Sequence, residues 1–214
     1  MCLVIVVGLP AVVAAQAERD RALIAAAAGG DAEAVRRLLK DGASVHAADE
    51  RGVTALIAAA YSNHVGVARV LVRAGADVDR QDHTQQSAFL IATSDGYVDL
   101  LRLTIEAGAD VHRTDSYNGT GLIRAADRGH VEIIRELLKT PIRIDHVNRL
   151  GWTALLEAII LGDGGPRHTE VVRLLVEAGA NVNIADSTGV SPLSHARVRT
   201  FTAIATILEA KGAR

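Results

Sequence analysis

The chain has 214 residues and a formal net charge of −2, with 25 acidic and 23 basic side chains. This balance argues against a nucleic-acid-binding surface, which needs concentrated positive charge. Cys2 is the only cysteine, so the sequence excludes an intrachain disulfide and a cysteine-based zinc site.

The first 17 residues carry no charged side chain. Their apolar run, residues 3–13, is too short to span a bilayer as a helix. Ala15-Gln16-Ala17 follows it, an A-x-A sequence typical of a signal-peptide cleavage site, although no basic residue precedes the run. We therefore predict that residues 1–17 are a signal peptide. The mature chain would then be periplasmic, in a bacterium, or secreted, with no stable membrane insertion.

Two alternatives remain for this N-terminal segment. It could be an uncleaved membrane anchor, or it could be a helix that covers one end of the folded domain. If the run is not a signal, the protein is expected to be cytoplasmic.

The segment 49–81 contains a pattern that the rest of the chain repeats. Asp49 and Gly52 form a turn signal. Thr54 is a suitable helix N-cap and precedes a short and then a longer apolar run. Gly75 ends the second run, where a glycine commonly follows a helix. The pattern predicts a turn, a short helix, a tight break, a longer helix and an extended exit.

The same pattern returns at intervals of about 33 residues, which indicates an array of helix-pair repeats. The residues that open successive units are Asp49, Asp82, Asp115, Asn148 and Asp186. The predicted N-caps are Thr54, Ser87, Thr120, Thr153 and Ser191. We predict a domain over residues 18–214 with repeats at 19–48, 49–81, 82–114, 115–147, 148–185 and 186–214.

These registered residues resemble the motif of the ankyrin repeat family, and the match covers nearly everything from Arg19 to the C-terminus. The second repeat matches through Asp49, Gly52, Thr54, Leu56, Ala59, Gly75, Ala76, Asp77 and Val78. The resemblance implies an all-α solenoid of about six helix-turn-helix repeats with short β-hairpin-like loops. It departs from the family in the motif histidine, which is missing, and in the motif proline, which only Pro192 keeps.

Several repeats deviate from the pattern. In the first repeat we predict helices over Leu23–Ala28 and Ala32–Lys40. Gln85 stands in the third repeat where the second has a turn glycine. The fifth repeat has a surplus segment, Asp163–Arg167, which we predict as a loop between its two helices. In the last repeat the second helix is predicted over Thr202–Ala210.

The histidines share repeat positions, since His64, His130 and His168 all stand at the start of a second helix. Histidine and aspartate clusters can bind zinc. Neighbouring repeats, however, lie about 10 Å apart, whereas metal–ligand distances are near 2 Å. We therefore predict surface hydrogen bonding for these side chains, and no metal or cofactor.

The last repeat contains the residue types of a hydrolase, in Asp186, Ser191, Ser194 and His195. Their spacing is that of the repeat motif, and the chain has neither a G-x-S-x-G sequence nor a glycine-rich phosphate loop. The prediction is that the protein is not an enzyme.

The positions that the repeat motif does not constrain lie at the hairpin tips and at the ends of the first helices. In ankyrin family members this concave strip typically binds a partner protein. Here it carries two of the three Tyr residues and the only Trp, and Tyr, Trp and Arg dominate binding hot spots. The predicted partner-binding residues are Arg51, Tyr61, His83, Tyr117, Arg128, Arg149 and Trp152, and Val53, Asp127 and Leu150 occupy free positions of the same strip.

We therefore predict a non-catalytic, monomeric module that binds another protein. One alternative is a small-molecule or metal-binding module. Another is an accessory stabiliser or inhibitor of a co-encoded enzyme. For the aromatic residues themselves, the alternative is that they form ordinary contacts between repeats.

Overall fold

The structure is a computed structural model that describes residues 9–214, with side chains from residue 12 onward. The part of the predicted signal peptide in residues 1–8 lies outside the described residues. Within the described part the chain forms twelve α-helices. They are α1 (Leu9–Ala28), α2 (Ala32–Lys40), α3 (Ala55–Tyr61), α4 (Val65–Arg73), α5 (Ala88–Asp95), α6 (Val98–Glu106), α7 (Gly121–Asp127), α8 (Val131–Leu137), α9 (Ala154–Ile160), α10 (Pro166–Glu177), α11 (Pro192–Val198) and α12 (Thr202–Ala210).

Contacts divide the chain into two compact units, one ending at Ala88 and the other beginning at Phe89. In the first unit, α1 packs on α3 and α2 packs on α4. In the second unit, α7, α9 and α11 form one layer of helices, and α6, α8, α10 and α12 form another. The predicted pairing of a first and a second helix is confirmed in the first, second, fourth, fifth and sixth repeats, where α1 packs on α2, α3 on α4, α7 on α8, α9 on α10 and α11 on α12.

The opening Asp or Asn of each repeat builds the loop that precedes its first helix. Asp49 accepts hydrogen bonds at Oδ1 from the backbone N–H groups of Arg51 and Val53, each at 2.9 Å. The same two bonds, to the residues two and four positions later, form at Asp82, Asp115, Asn148 and Asp186. Isolated antiparallel bridges, Ala48 with Thr54 and Thr114 with Thr120, close two of these loops. The loops are hairpin-like, as predicted.

Three of the predicted N-caps form the expected hydrogen bond to a backbone N–H three residues later. They are Thr54, Thr153 and Ser191. Thr120 is different, because its side chain makes no capping bond and its buried Oγ1 has no hydrogen-bond partner. Thr120 nevertheless holds the N-cap position, as predicted, and its backbone is extended there like that of the other caps.

Small residues allow the first helices to approach closely. One repeat position is an alanine in five successive repeats, and each of these side chains is fully buried; they are Ala59, Ala92, Ala125, Ala158 and Ala196. Leucines complete the core on both helices of a repeat, as at Leu56 and Leu71 in the second. Because each repeat buries its apolar face only against its neighbours, the core is continuous through each unit.

The first helix is longer than predicted, since α1 begins at Leu9 rather than at Leu23. Pro10 lies in its first turn, where proline is tolerated, and no further glycine or proline interrupts the chain before Gly29. Gln16 ties this extension to the first repeat by donating to the carbonyl of Gly42 at 3.0 Å. Residues 9–17 thus form the first half of α1, and their role as part of a signal peptide stays a prediction. Among the described helices, none has both the length and the hydropathy needed to cross a membrane.

The insertion in the fifth repeat is only partly a loop. The helix α10 begins at Pro166, so Pro166 and Arg167 are helical and the prediction is wrong for them. Proline favours the first helical position because its fixed φ suits the helix and its missing N–H would lack a partner there. The loop ends at Gly165, whose N–H donates to Asp163 at 2.9 Å.

We expect Gln85→Gly to stabilise the protein. Gln85 has a φ of +62°, where the second and fifth repeats have Gly52 and Gly151. A left-handed residue with a Cβ costs about 1–2 kcal/mol, and the greater freedom of glycine in the unfolded chain offsets part of that gain. The net increase in unfolding free energy should be about 0.5–1 kcal/mol, measured by chemical denaturation.

The matched control for this substitution is Asn118→Gly, at the same repeat position with a φ of +57°. Asparagine tolerates this conformation, so its replacement should bring little or no gain. Equal stabilisation by the two variants would contradict the explanation.

Candidate functional site

The histidines at the start of the second helices connect successive repeats. In each case Nε2 bonds a carbonyl oxygen at the end of the preceding repeat's first helix, and the ring lies against a glycine of that repeat. The bonds join His64 to Ala28 (3.1 Å), His130 to Ser94 (3.0 Å) and His168 to Asp127 (3.0 Å). The predicted hydrogen bonds are present and link successive repeats, but the prediction that they lie at the surface is wrong for His168, which is buried against the preceding repeat. Within residues 12–214 no group of three or more His, Cys, Asp and Glu side chains is placed to hold a metal ion.

The polar residues of the last repeat are likewise used by the repeat itself. His195 Nε2 lies 2.8 Å from Asp186 Oδ2, and the Ser191 hydroxyl accepts the N–H of Ser194 at 3.2 Å. The pKa of Asp186 is held far below its usual range by the Thr188 hydroxyl, by a backbone N–H and by His195. This arrangement stabilises the turn and caps α11.

In the first unit, the three predicted partner-binding residues adjoin two consecutive hairpin loops. Arg51 is exposed, and its guanidinium contacts Asp49 Oδ2 at 3.1 Å. The N–H of His83 donates to the carbonyl of Arg51 at 2.9 Å, and its ring lies against Gly52. Tyr61 is 45% exposed. The three residues are therefore brought together, with part of each in contact with its own loop.

Tyr61 is fixed by a hydrogen bond to the next repeat. Its hydroxyl donates to Asp82 Oδ2 at 2.8 Å. Partial burial and the neighbouring Asp82 carboxylate raise the pKa of the Tyr61 hydroxyl. The ring is therefore held in one position while one side of it stays accessible.

Two adjoining cavities, of about 690 and 310 Å³, lie where α1 meets these loops. Arg21, Ile24, Asp49 and Arg51 line both of them, and Tyr61 lines the smaller. We call this surface the α1 groove. Arg21 and Ile24 are absent from the predicted site. Their three-residue spacing along one helix face would have indicated them, had α1 been predicted to begin before Leu23.

In the second unit, Tyr117 and Arg149 lie on adjacent hairpin loops. The N–H of Arg149 donates to the carbonyl of Tyr117 at 2.9 Å, and its guanidinium donates to the carbonyl of Ser116 at 2.6 Å. Tyr117 is 59% exposed. Both side chains remain available to a partner.

Two predicted partner-binding residues remain, Arg128 and Trp152. Arg128 follows α7 and its guanidinium lies 3.8 Å from Asp95. Trp152 is half-buried, and its backbone closes the loop opened by Asn148.

Val53, predicted as a free position of the strip, is only 6% exposed, so that prediction is wrong. Its backbone is held within the loop by Asp49, whose Oδ1 accepts the N–H of Val53 and whose N–H donates to the Val53 carbonyl.

A cavity of about 260 Å³ lies between the fourth and fifth repeats, and we call it the Glu157 cavity. Its polar lining includes Asp115, Arg124, Asp127, Asn148 and Glu157. Its apolar lining includes Tyr117, Ile123, Leu150 and Leu161. The cavity therefore combines a charged interior with large apolar side chains.

Glu157 is the group of this cavity whose pKa is strongly raised. Its side chain is buried, and Oε1 accepts a hydrogen bond from Asn148 Nδ2 at 2.7 Å. Burial and the charge of Asp127 raise the pKa of Glu157 from 4.5 to about 7. A buried carboxyl in a cleft with a perturbed pKa is a candidate for a functional role.

Glu157 occupies a repeat position that changes character along the chain. The position is apolar in the second and third repeats, at Ala58 and Ile91, and polar in the last three. Each polar side chain contacts the opening residue of its own repeat; the pairs are Arg124 with Asp115 (3.5 Å), Glu157 with Asn148 (2.7 Å) and His195 with Asp186 (2.8 Å). Sequence analysis missed Arg124, Glu157 and Leu161. The break in the apolar pattern of the first helices could have indicated Arg124 and Glu157.

Three comparisons agree with this architecture. A family model for ankyrin repeats (3 copies) matches residues 7–82 and 89–186. The chain is 46% identical to an ankyrin repeat domain from Acinetobacter baumannii AYE in a crystal structure, with a TM-score of 0.87, covering 90% of this chain and 98% of that one. It is 31% identical to the ankyrin repeat protein EF0377, also a crystal structure, with a TM-score of 0.86 over 91% of this chain and 98% of the other.

The curated relative is a protein of Escherichia coli (strain K12), YahD, which is named as an ankyrin repeat protein. The two are 47% identical over 74 residues. That match spans 35% of this chain and 37% of the relative's length. The family model covers well over half of the chain, and the solved structures share its repeated helix pairs. The chain belongs to the ankyrin repeat family.

Proposed function

We propose that the protein is a non-catalytic module that binds a partner protein through the surface around the Glu157 cavity. The observation that carries this proposal is the exposure of three large apolar side chains at one place. Tyr117 is 59% exposed, Leu150 45% and Leu161 51%, and all three line the same cavity. Apolar side chains grouped around a cleft are a common mark of a protein-binding surface.

The bonding of the polar residues in the last repeat supports the same proposal. The candidate nucleophiles Ser191 and Ser194 bond each other and the backbone, and His195 bonds Asp186. These contacts satisfy the capping and turn requirements of the repeat. Ankyrin repeat domains generally mediate interactions between proteins, which fits a chain whose chemical groups are used by its own fold.

A second surface, the α1 groove, adds to the first unit's capacity for binding. Tyr61 presents an aromatic ring held by its bond to Asp82, and Arg51 presents an exposed guanidinium. A fixed aromatic side chain loses little conformational entropy when a partner covers it. We propose that this groove contributes to partner binding independently of the Glu157 cavity.

The test begins with affinity capture from cells that express the protein, followed by purification and titration of each captured partner. We expect Tyr117→Ala and Leu161→Ala each to weaken a true partner by roughly 30-fold, equal to about 2 kcal/mol. Both side chains are exposed, so the melting temperature should change little. Tyr61→Ala tests the α1 groove in the same way.

The matched control is Val198→Ala, which truncates an exposed apolar side chain at the end of α11 that lines none of these cavities. It should leave both affinity and melting unchanged. The proposal fails if every purified partner binds the Tyr117 and Leu161 variants as tightly as the wild type. It also fails if these variants melt at much lower temperatures, because the side chains would then be packing groups.

A further inference from the structure

The Glu157 carboxyl is incompletely satisfied by the protein itself. The side chain is only 5% exposed, yet within the described part of the chain it accepts a single hydrogen bond, at Oε1 from Asn148. Oε2 accepts none, and Glu157 lines the cavity. Oε2 is not one of the fully buried atoms, so it is accessible from the cavity to a ligand that carries a hydrogen-bond donor.

The charged groups of the cavity do not balance. Asp115, Asp127 and Glu157 supply three carboxyl groups, whereas Arg124 supplies one positive charge. That charge is directed toward Asp115, at 3.5 Å, and Arg124 also donates to the Ser94 hydroxyl at 3.3 Å. Within the described residues no ion pair reaches Glu157 or Asp127, and one positive charge from outside would reduce the excess of two negative charges to one.

The size and walls of the cavity indicate what form this cation takes. A volume of about 260 Å³ is below the ~300–1,000 Å³ of most small-molecule sites. It therefore suits one side chain better than a cofactor. Tyr117, Leu150 and Leu161 provide apolar walls for an aliphatic stem, and the Tyr117 ring can also attract a cation.

We propose that the Glu157 cavity binds one basic side chain, Lys or Arg, presented by a partner polypeptide. The charged end lies against Glu157 and Asp127, and the stem lies between Tyr117, Leu150 and Leu161. This inference rests on the proposed function, because it names the chemical group of the partner that enters that same surface.

The experiment uses the full chain and a phage-displayed library of random 12-residue peptides, selected at pH 8. We expect enriched peptides to contain one Lys or Arg flanked by apolar residues. For a synthetic peptide from this set, replacing its basic residue by norleucine should weaken binding about 30-fold. Glu157→Gln should weaken binding of the original peptide by a similar factor. In the Glu157→Gln variant, the norleucine replacement should weaken peptide binding little further, because the two changes remove one shared contact.

Dependence on pH gives a second readout that a purely structural role of Glu157 would not show. Binding should strengthen from pH 6 to pH 8 as Glu157 ionises, and this trend should vanish in Glu157→Gln. The other charged or titratable groups that line the cavity are Asp115, Tyr117, Arg124 and Asp127. Glu177→Gln makes the same chemical change at an exposed position on α10 and should leave binding and its pH dependence unchanged.

The outcomes separate this inference from the proposed function. Selection of peptides without a basic residue overturns the inference, as does an absence of any binding peptide, or binding that is unaffected by Glu157→Gln. If such peptides still depend on Tyr117 or Leu161, the proposed protein-binding function survives while the cation site fails. If Tyr117→Ala and Leu161→Ala also leave purified partners unaffected, the proposed function fails as well.

Discussion

Gly162→Ala is expected to destabilise the protein by about 3 kcal/mol, lowering the melting temperature by roughly 6–12 °C. A Cβ at this position would overlap the carbonyl oxygen of Ala158 and would lie 2.8 Å from the ring of His168. The carbonyl belongs to the backbone of α9 and cannot move without disturbing that helix. Thermal melting and chemical denaturation both measure the loss.

A Cβ at Gly162 would also lower the stability by displacing the ring of His168. His168 is buried, bonds the carbonyl of Asp127 in the preceding repeat at 3.0 Å, and contacts Asp163 at 2.8 Å. A side chain at Gly162 would push the imidazole away from both partners. The expected loss therefore includes part of the connection between the fourth and fifth repeats.

A matched control is Gly66→Ala, which adds the same methyl group within α4. A Cβ there would meet no atom within 4 Å. Alanine has the higher helix propensity, so this variant should be more stable by up to about 1 kcal/mol. If both alanine variants change stability equally, the close approach at Gly162 does not have the expected consequence.

Glu157→Gln is expected to make the protein more stable than the wild type at alkaline pH, by up to about 3 kcal/mol. The pKa of Glu157 is raised from 4.5 to about 7 by burial and by the charge of Asp127. A raised carboxyl pKa means that the folded state favours the protonated form. Its stabilising contribution is present below pH 4.5 and is lost as the pH rises through about 7. Glutamine stays neutral and avoids this loss.

The measurement is the unfolding free energy of both proteins at several pH values between 4.5 and 8.5. The two curves should lie close together at the acidic end and diverge as the pH rises. Glu177→Gln, at an exposed position, should follow the wild type throughout. A difference between Glu157→Gln and the wild type that does not change with pH would contradict the raised pKa.

The sequence by itself was sufficient for the features that depend on neighbours along the chain. The loop hydrogen bonds of Asp49 and its counterparts span two and four residues, and the N-cap bond of Thr54 spans three. Such bonds need only the right residue types at the right spacing. The bounds of α2 and α12 follow from the same local signals, and the structure has them as predicted.

The start of α1 and the grouping of side chains around the cavity depend on contacts between repeats, so they could not be predicted from the sequence alone. The start of α1 lacks a strong local signal, and Gln16 contacts Gly42, 26 residues away. The free positions were recognised one by one, but only stacking determines which of them meet. Tyr117, Leu150 and Leu161 come from different segments and line one cavity with Glu157, whereas Trp152 turns out half-buried at its own loop. The physical reason is that a local pattern specifies the shape of one repeat, while a binding surface arises from side chains of neighbouring repeats whose distances depend on packing.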